Sequence, residues 1–157
     1  MERVTQVPKT VELKTQVEPF IRKELEKSYP GHTFTEKALP LRRKKDGNYA
    51  VHNFDAVSED NSIVASIKSN SWLTSGGNVP SGKIGVIYQS LYFLSLVDAK
   101  TKLLILTDKK AYDGFLTVSD GKLAEGVEIK LYTLPPKLQL LVKDVHRKAS
   151  QEMSQRK

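Results

Sequence analysis

The chain lacks cysteine altogether, and its 157 residues include only two methionines and one tryptophan. Without thiols there is no disulfide framework, no thiolate zinc site and no cysteine nucleophile, a usage that fits a reducing, cytoplasmic compartment. Long apolar runs are missing too. The best of them, Ile84 to Val97, is broken by glycine, glutamine and serine, and it falls short of the roughly 20 apolar residues a bilayer span needs. Met1 to Thr10 is polar and holds no apolar block, so no secretory signal is expected there. The sequence contains no HExxH, Walker loop, GxGxxG or nucleophile elbow. His32, His52 and His146 are too scattered to suggest a zinc site. The expectation is a soluble protein with no membrane partner.

What is present suits one folded unit. Hydrophobic residues make up 39% and charged residues 27%, ordinary for a globular domain of a size that buries a core without staples. Lys and Arg total 25 against 18 Asp and Glu, a formal +7 with a pI near 9.5. Such a surface favours polyanions, nucleic acid first, although basic charge also serves solubility alone.

Apolar spacing from Val17 onward predicts a helix that ends at Pro30-Gly31, with Thr15 and Glu18 as a capping box and Pro19 at its start or kink. Lys37 to Arg42 reads as a short strand whose Pro40 demands an edge. Tyr49–Val57 and Ser62–Ser69 flank a polar turn and read as a hairpin. Asn70 to Lys83 is a long Ser/Gly/Asn-rich loop of the kind that carries function. Ile84–Val97 reads as a buried helix and Leu103–Leu106 as a central strand. Thr107-Asp108 reads as a cap for a short helix over Ala111–Phe115. Val127–Leu134 reads as a strand, and Lys137 to about Met153 as an amphipathic helix.

The informative stretch is His52-Asn53-Phe54-Asp55, ten residues, then Ser66-Ile67-Lys68. If the hairpin is centred on the Asp60–Asn61 junction, Asp55 lies opposite Ser66, and Asn53 opposite Lys68. Strand alternation then puts these four on one face and Phe54, Ala56, Ala65 and Ile67 on the other. An acid beside a lysine on a sheet face is what metal-assisted phosphodiester cleavage uses: the carboxylate holds the cation and the lysine steadies charge or orients the nucleophile. An ordinary cross-strand ion pair has the same spacing.

In this order of helix, strand, strand with Asp, strand with x-x-Lys, helix and strand, the chain resembles the PD-(D/E)XK nucleases over about Thr10 to Thr107. Phe54-Asp55 stands for their Pro-Asp and Ser66-Ile67-Lys68 for their (Asp/Glu)-x-Lys. The resemblance implies an α/β, restriction-endonuclease-like mixed sheet flanked by helices. A single domain would span 1–157, with a core of about 10–134 and a C-terminal helix of about 137–153. It implies a DNA phosphodiesterase using Mg²⁺ or Mn²⁺. The metal would be held by Asp55, the Ile67 carbonyl and an auxiliary Glu24 of the first helix, with Lys68 catalytic and Gln89 of the later helix beside it. Ser66 departs from the pattern, because a hydroxyl does not supply the second negative charge. Another acid then enters the site, or a poorer site works, or catalysis is lost and the fold binds DNA or a protein partner.

For DNA contact the candidates are the basic run Arg42-Arg43-Lys44-Lys45, Lys83 near a helix start, and Trp72, which either stacks on a base or anchors its loop. Each has a plain alternative as a solvated surface group. A homodimer is the further assembly left open, and a scaffold whose charge serves only solubility is the remaining class.

Overall fold

The computed structural model describes residues 10–72 and 81–154. Five strands lie side by side in chain order: β1 (Phe34–Arg43), β2 (Tyr49–Ser58), β3 (Ile63–Lys68), β4 (Thr101–Leu106) and β5 (Val127–Leu131). β1–β2 and β2–β3 are antiparallel and joined by tight turns, whereas β3–β4 and β4–β5 are parallel. Parallel neighbours need a crossover, supplied by α3 (Ser81–Leu96) and α4 (Lys109–Val118). The result is a small α/β domain with a mixed sheet covered by helices on both faces.

The apolar side chains explain that layering. Ala56, Ala65, Ile67, Leu103 and Ile105 pack against Val17, Ile21 and Leu25 of the first helical segment and against Val142 of α5 (Pro136–Ser154). Phe54, Val57, Val64, Leu104 and Leu106 pack against Ile87, Leu91 and Leu94 of α3 and Phe115 of α4. β3 and β4 are therefore buried on both faces, which is why they read as unbroken apolar runs rather than as alternation.

The first helical segment does not begin at a capping box. It opens as α1 (Thr10–Glu12), widens into a π-helical turn (Leu13–Val17) and continues as α2 (Glu18–Ser28). Thr15 Oγ1 donates to the Glu12 carbonyl instead (3.4 Å). The Glu18 N–H reaches back five residues to the Leu13 carbonyl. Pro19 then falls at the start of α2, where a missing N–H costs little.

β1 is an edge strand, as Pro40 requires, and runs to ten residues. Its pairing with β2 is interrupted twice. Between Thr35 and Lys37, β2 carries the extra residue, so that Asp55 and Ala56 together oppose Glu36. This bulge corrects the expected sharing of faces. Phe54 falls on the α3 side, while Ala56, Ala65 and Ile67 fall on the α2 side. A bulge adds one residue and so breaks simple alternation. The β2–β3 register, Ala56↔Ala65 and Val57↔Val64, has its turn centre at Asp60–Asn61, with Asn61 taking the left-handed conformation at φ 62°.

Asp108 caps α4 by accepting from the Ala111 N–H at 2.9 Å. The loop expected over Asn70–Lys83 lies, from 73 to 80, outside the described residues, while Ser81–Lys83 belong to α3. Among the described residues no helix is long and apolar enough to cross a membrane. Trp72 packs into the α3–α4 core, its indole seated on Gly114 of α4. A methyl group at Gly114 would overlap that ring. Gly114→Ala should therefore lower stability by about 1–3 kcal/mol through overpacking and red-shift the emission of this sole tryptophan. Unchanged emission would mean that Trp72 does not rest there.

Candidate functional site

The site is a fork in the sheet. Regular β2–β3 pairing stops at Ala56↔Ala65, and the next bond is made by a side chain: the Ile67 N–H donates to Asp55 Oδ2 at 2.7 Å. The Asp55 carbonyl accepts from Arg22 Nη1 of α2 at 2.8 Å. The bulge thus turns Asp55 into the gap between two diverging strands, and its backbone is tied to the helix above. The Lys68 carbonyl accepts from Thr107 N–H on the β4 side. Since a strand residue's N–H and C=O point to the same edge, the Ile67 carbonyl faces the fork with its own N–H.

One acid from α2 lies near enough to feel the Asp55 charge. Glu18 is only 9% exposed, and its Oε1 is buried with no hydrogen-bond partner among the described residues. Arg22 Nη1 lies 4.0 Å from that oxygen. Burial, with the Asp55 charge adding to it and the Arg22 charge opposing it, pushes the Glu18 carboxyl from 4.5 up to about 7. A buried carboxylate oxygen without a hydrogen bond is uncommon and calls for an explanation. Glu24 lies elsewhere. It is half-exposed and pairs with Lys27 at 3.1 Å, so the helical acid that faces Asp55 is Glu18.

The fork opens into a cleft of about 210 Å³ lined by His52, Asn53, Asp55, Ser66, Lys68, Gln89, Ser90 and Phe93. The four polar residues expected to gather from β2 and β3 do so, through the fork rather than across one flat face. The Lys68 ammonium makes no hydrogen bond or ion pair among the described residues, so it is not committed to a protein acid. Gln89 contributes from the exposed side of α3. Asn53 donates to Glu36 across the ribbon. His52 stacks on Phe93 (4.0 Å between ring centres, 9° between planes) and meets Phe54 edge-on. Burial lowers its pKa; Asp55 opposes that shift and Lys68 adds to it.

The remaining candidates are dispersed. Arg42, Arg43, Lys44 and Lys45 sit at the exposed end of the β1–β2 ribbon. Lys83 in the first turn of α3 bonds to Ser71 Oγ at 3.1 Å. Trp72 is packed on Gly114, and Tyr92 is 62% exposed. Arg156 and Lys157 lie outside the described residues.

A second acidic group went unread in the sequence. His32 Nδ1, Glu59 and Asp60 converge at the far hairpin, within 4.8 Å of one another, in a set able to hold a metal. They are held by local hydrogen bonds: Glu59 takes His32 and the Thr33 N–H, and Asp60 Oδ1 takes the Ser58 hydroxyl and the Ser62 hydroxyl and N–H. The Ser62 hydroxyl first, then the Ser62 N–H and the Ser58 hydroxyl, hold the Asp60 carboxyl well below its usual range. Comparison with protein families, curated proteins and solved structures finds no match for this chain.

The raised Glu18 pKa has a consequence for stability. The folded chain keeps this proton to about pH 7, whereas the unfolded chain loses it near 4.5. Folding therefore takes up a proton between those values, and stability falls as pH rises through them. Glu18→Gln removes the penalty. Without divalent metal, the variant should exceed the wild type by roughly 1–3 kcal/mol at about pH 8, with that gain absent at about pH 4. Urea denaturation at both pH values checks this; an equal difference at the two would refute the assignment.

Proposed function

We propose that the chain is a metal-dependent, nuclease-fold protein that cuts phosphodiester bonds in DNA at the β2–β3 fork. The observation that carries this reading is the buried Glu18 carboxylate oxygen, which has no hydrogen bond among the described residues and lies near enough to Asp55 to feel its charge, while Asp55 itself lines a cleft that also presents Lys68. The element order supports it: helix, strand, strand with Asp55, strand with Ser66-Ile67-Lys68, helix and strand follow one another as the PD-(D/E)XK resemblance requires.

The donor set fits a hard cation. Glu18 and Asp55 would hold Mg²⁺ or Mn²⁺ with the Ile67 carbonyl, all oxygen donors of the kind such ions take. The ion would supply Lewis acidity toward a phosphate oxygen and toward water. Glu18 takes the auxiliary role expected of Glu24. The chain's own groups do the rest. Asp55 is held in orientation by the Ile67 N–H and Arg22. Lys68 offers its ammonium to the negative charge that builds on the phosphate. Gln89 and the Ser66 hydroxyl offer neutral hydrogen bonds that position the phosphate, and the His52–Phe93 stack walls off one side.

A second reading is favoured by Ser66 and by Arg22, since a neutral hydroxyl and a nearby guanidinium both weaken the pull on a cation. In that reading the chain is a nuclease-fold module that binds nucleic acid or a protein partner without cutting.

Calorimetric titration of Mg²⁺ and Mn²⁺, with plasmid nicking alongside, separates the two. Asp55→Asn keeps an acceptor for the Ile67 N–H but loses the charge, and should abolish both metal binding and nicking. Lys68→Met should leave metal binding intact and lower nicking by about 10²-fold or more. No metal binding by the wild type, with duplex DNA still bound in a salt-sensitive way, would establish the second reading. Ser66→Asp restores a second strand acid and should tighten Mg²⁺ binding about tenfold, as an added charged ligand does, with some loss of stability at this buried position. Unchanged affinity would place the cation away from Ser66.

A further inference from the structure

The β1–β2 hairpin is longer than the sheet it belongs to. β3 leaves β2 after Ala56↔Ala65, yet β1–β2 pairing continues outward to Arg43↔Tyr49. Among the described residues, the outer half is therefore a two-stranded ribbon with no third strand. One of its faces rests on α3, through buried Leu39 and through His52 stacked on Phe93. The other face and the tip are open, with Val51 67% exposed. Around the tip four consecutive cations, Arg42 to Lys45, stand against the single carboxylate of Asp46.

We infer that this ribbon is an arm that grips the phosphate backbone of duplex DNA well to one side of the β2–β3 fork. Three observations select that occupant. The tip is a dense positive charge, complementary to phosphate and sequence-independent in its pull. A two-stranded ribbon fits the major groove of B-form DNA. On the ribbon itself, the aromatic platform that a single strand would require is engaged, since the Arg43 guanidinium covers the Tyr49 ring at 5.0 Å. From Asp55 to Tyr49 the strand spans six residues, about 20 Å at a rise of ~3.4 Å per residue. That reach corresponds to about six base pairs at ~3.4 Å per step. The arm thus deepens the proposed function by adding a flank contact, although its binding role does not require that the fork cuts.

The test is duplex binding by fluorescence anisotropy in chelator, with a labelled duplex of about 20 base pairs. One variant neutralises the tip (Arg42→Gln, Arg43→Gln, Lys44→Gln, Lys45→Gln). A control neutralises four exposed cations of α5 (Lys137→Gln, Lys143→Gln, Arg147→Gln, Lys148→Gln). The tip variant should bind at least tenfold more weakly, with the slope of log affinity against log salt shallower by about 2–3, since each phosphate contact contributes about 0.9. The α5 control should lose less than threefold, and wild type should bind a single strand of equal length at least tenfold more weakly than duplex. Circular dichroism checks that the tip variant is folded. Equal losses in both variants, no loss in the tip variant, or equal single-strand affinity would each overturn the arm. Arm-dependent binding without nicking would remove only the nuclease reading, and nicking without arm dependence would remove only the arm.

Discussion

A single hydrogen bond sets the geometry of this sheet. If β2 and β3 zipped together by main-chain pairing alone, Asp55 and Ser66 would sit side by side over a closed surface. Instead the Asp55 carboxylate takes the Ile67 N–H at 2.7 Å and Arg22 takes the Asp55 carbonyl at 2.8 Å. A buried N–H left without an acceptor costs about 1–3 kcal/mol, so the strands can part only where a side chain substitutes for the missing main-chain acceptor. Asp55 is that substitute. The same bond fixes the carboxylate's direction, which a freely rotating surface acid would not have. The fold's opening and the site's acid are therefore one feature.

Glu18 shows the opposite balance. Nothing in the packing requires a carboxylate beside Val17 and Ile21, where an apolar residue would be at least as stable. An oxygen with no hydrogen bond among the described residues is a cost to the fold. Such positions mark places where a sequence departs from what stability alone would select. Arg22 offsets part of the cost from 4.0 Å while binding the bulge, so the helix, the acid and the fork are held as one unit. With Glu18 and Asp55 charged and Arg22 and Lys68 nearby, positive and negative groups nearly balance there. Ser66 leaves that balance unshifted where an acid would have tipped it toward cations.

Much of the fold could be read from pattern: β3 and β4, buried on both sides, follow from apolar runs, as does α3, although one side of it is exposed, and the Asp108 cap follows from local chemistry. Pro40 marked the edge, since a central strand would lose a ladder bond. The hairpin's turn centre was legible too, and with it the meeting of Asp55, Ser66 and Lys68. The bulge was not legible. An inserted residue leaves no compositional mark when its neighbours are all strand formers, so Phe54 was assigned to the wrong face. The choice between Glu18 and Glu24 had a different obstacle. On a helical wheel at ~100° per residue, the two flank the Val17–Ile21–Leu25 stripe on opposite borders, each roughly 60° from its centre. Sequence fixes the stripe, but only docking on the sheet decides which border faces the fork, and Arg22 lies on the same border as Glu18. The His32–Glu59–Asp60 group was missed because it joins a loop to a turn 27 residues on.

The β1–β2 hairpin carries both kinds of group that the proposed chemistry needs. Asp55 lies near its root, at the bulge, and the basic run lies at its tip, with Leu39 and the His52–Phe93 stack fixing the ribbon on α3 between them. Strand backbone is stiff over such a length compared with loops, so the distance between acid and cations is set by residue count rather than by a flexible tether. A second bulge, at Leu41 and Arg42 opposite Ala50, increases local twist just before the tip and so turns the cations relative to the fork. Bulges at both ends of one ribbon therefore do related work: the inner one aims the carboxylate into the cleft, and the outer one aims the positive charge.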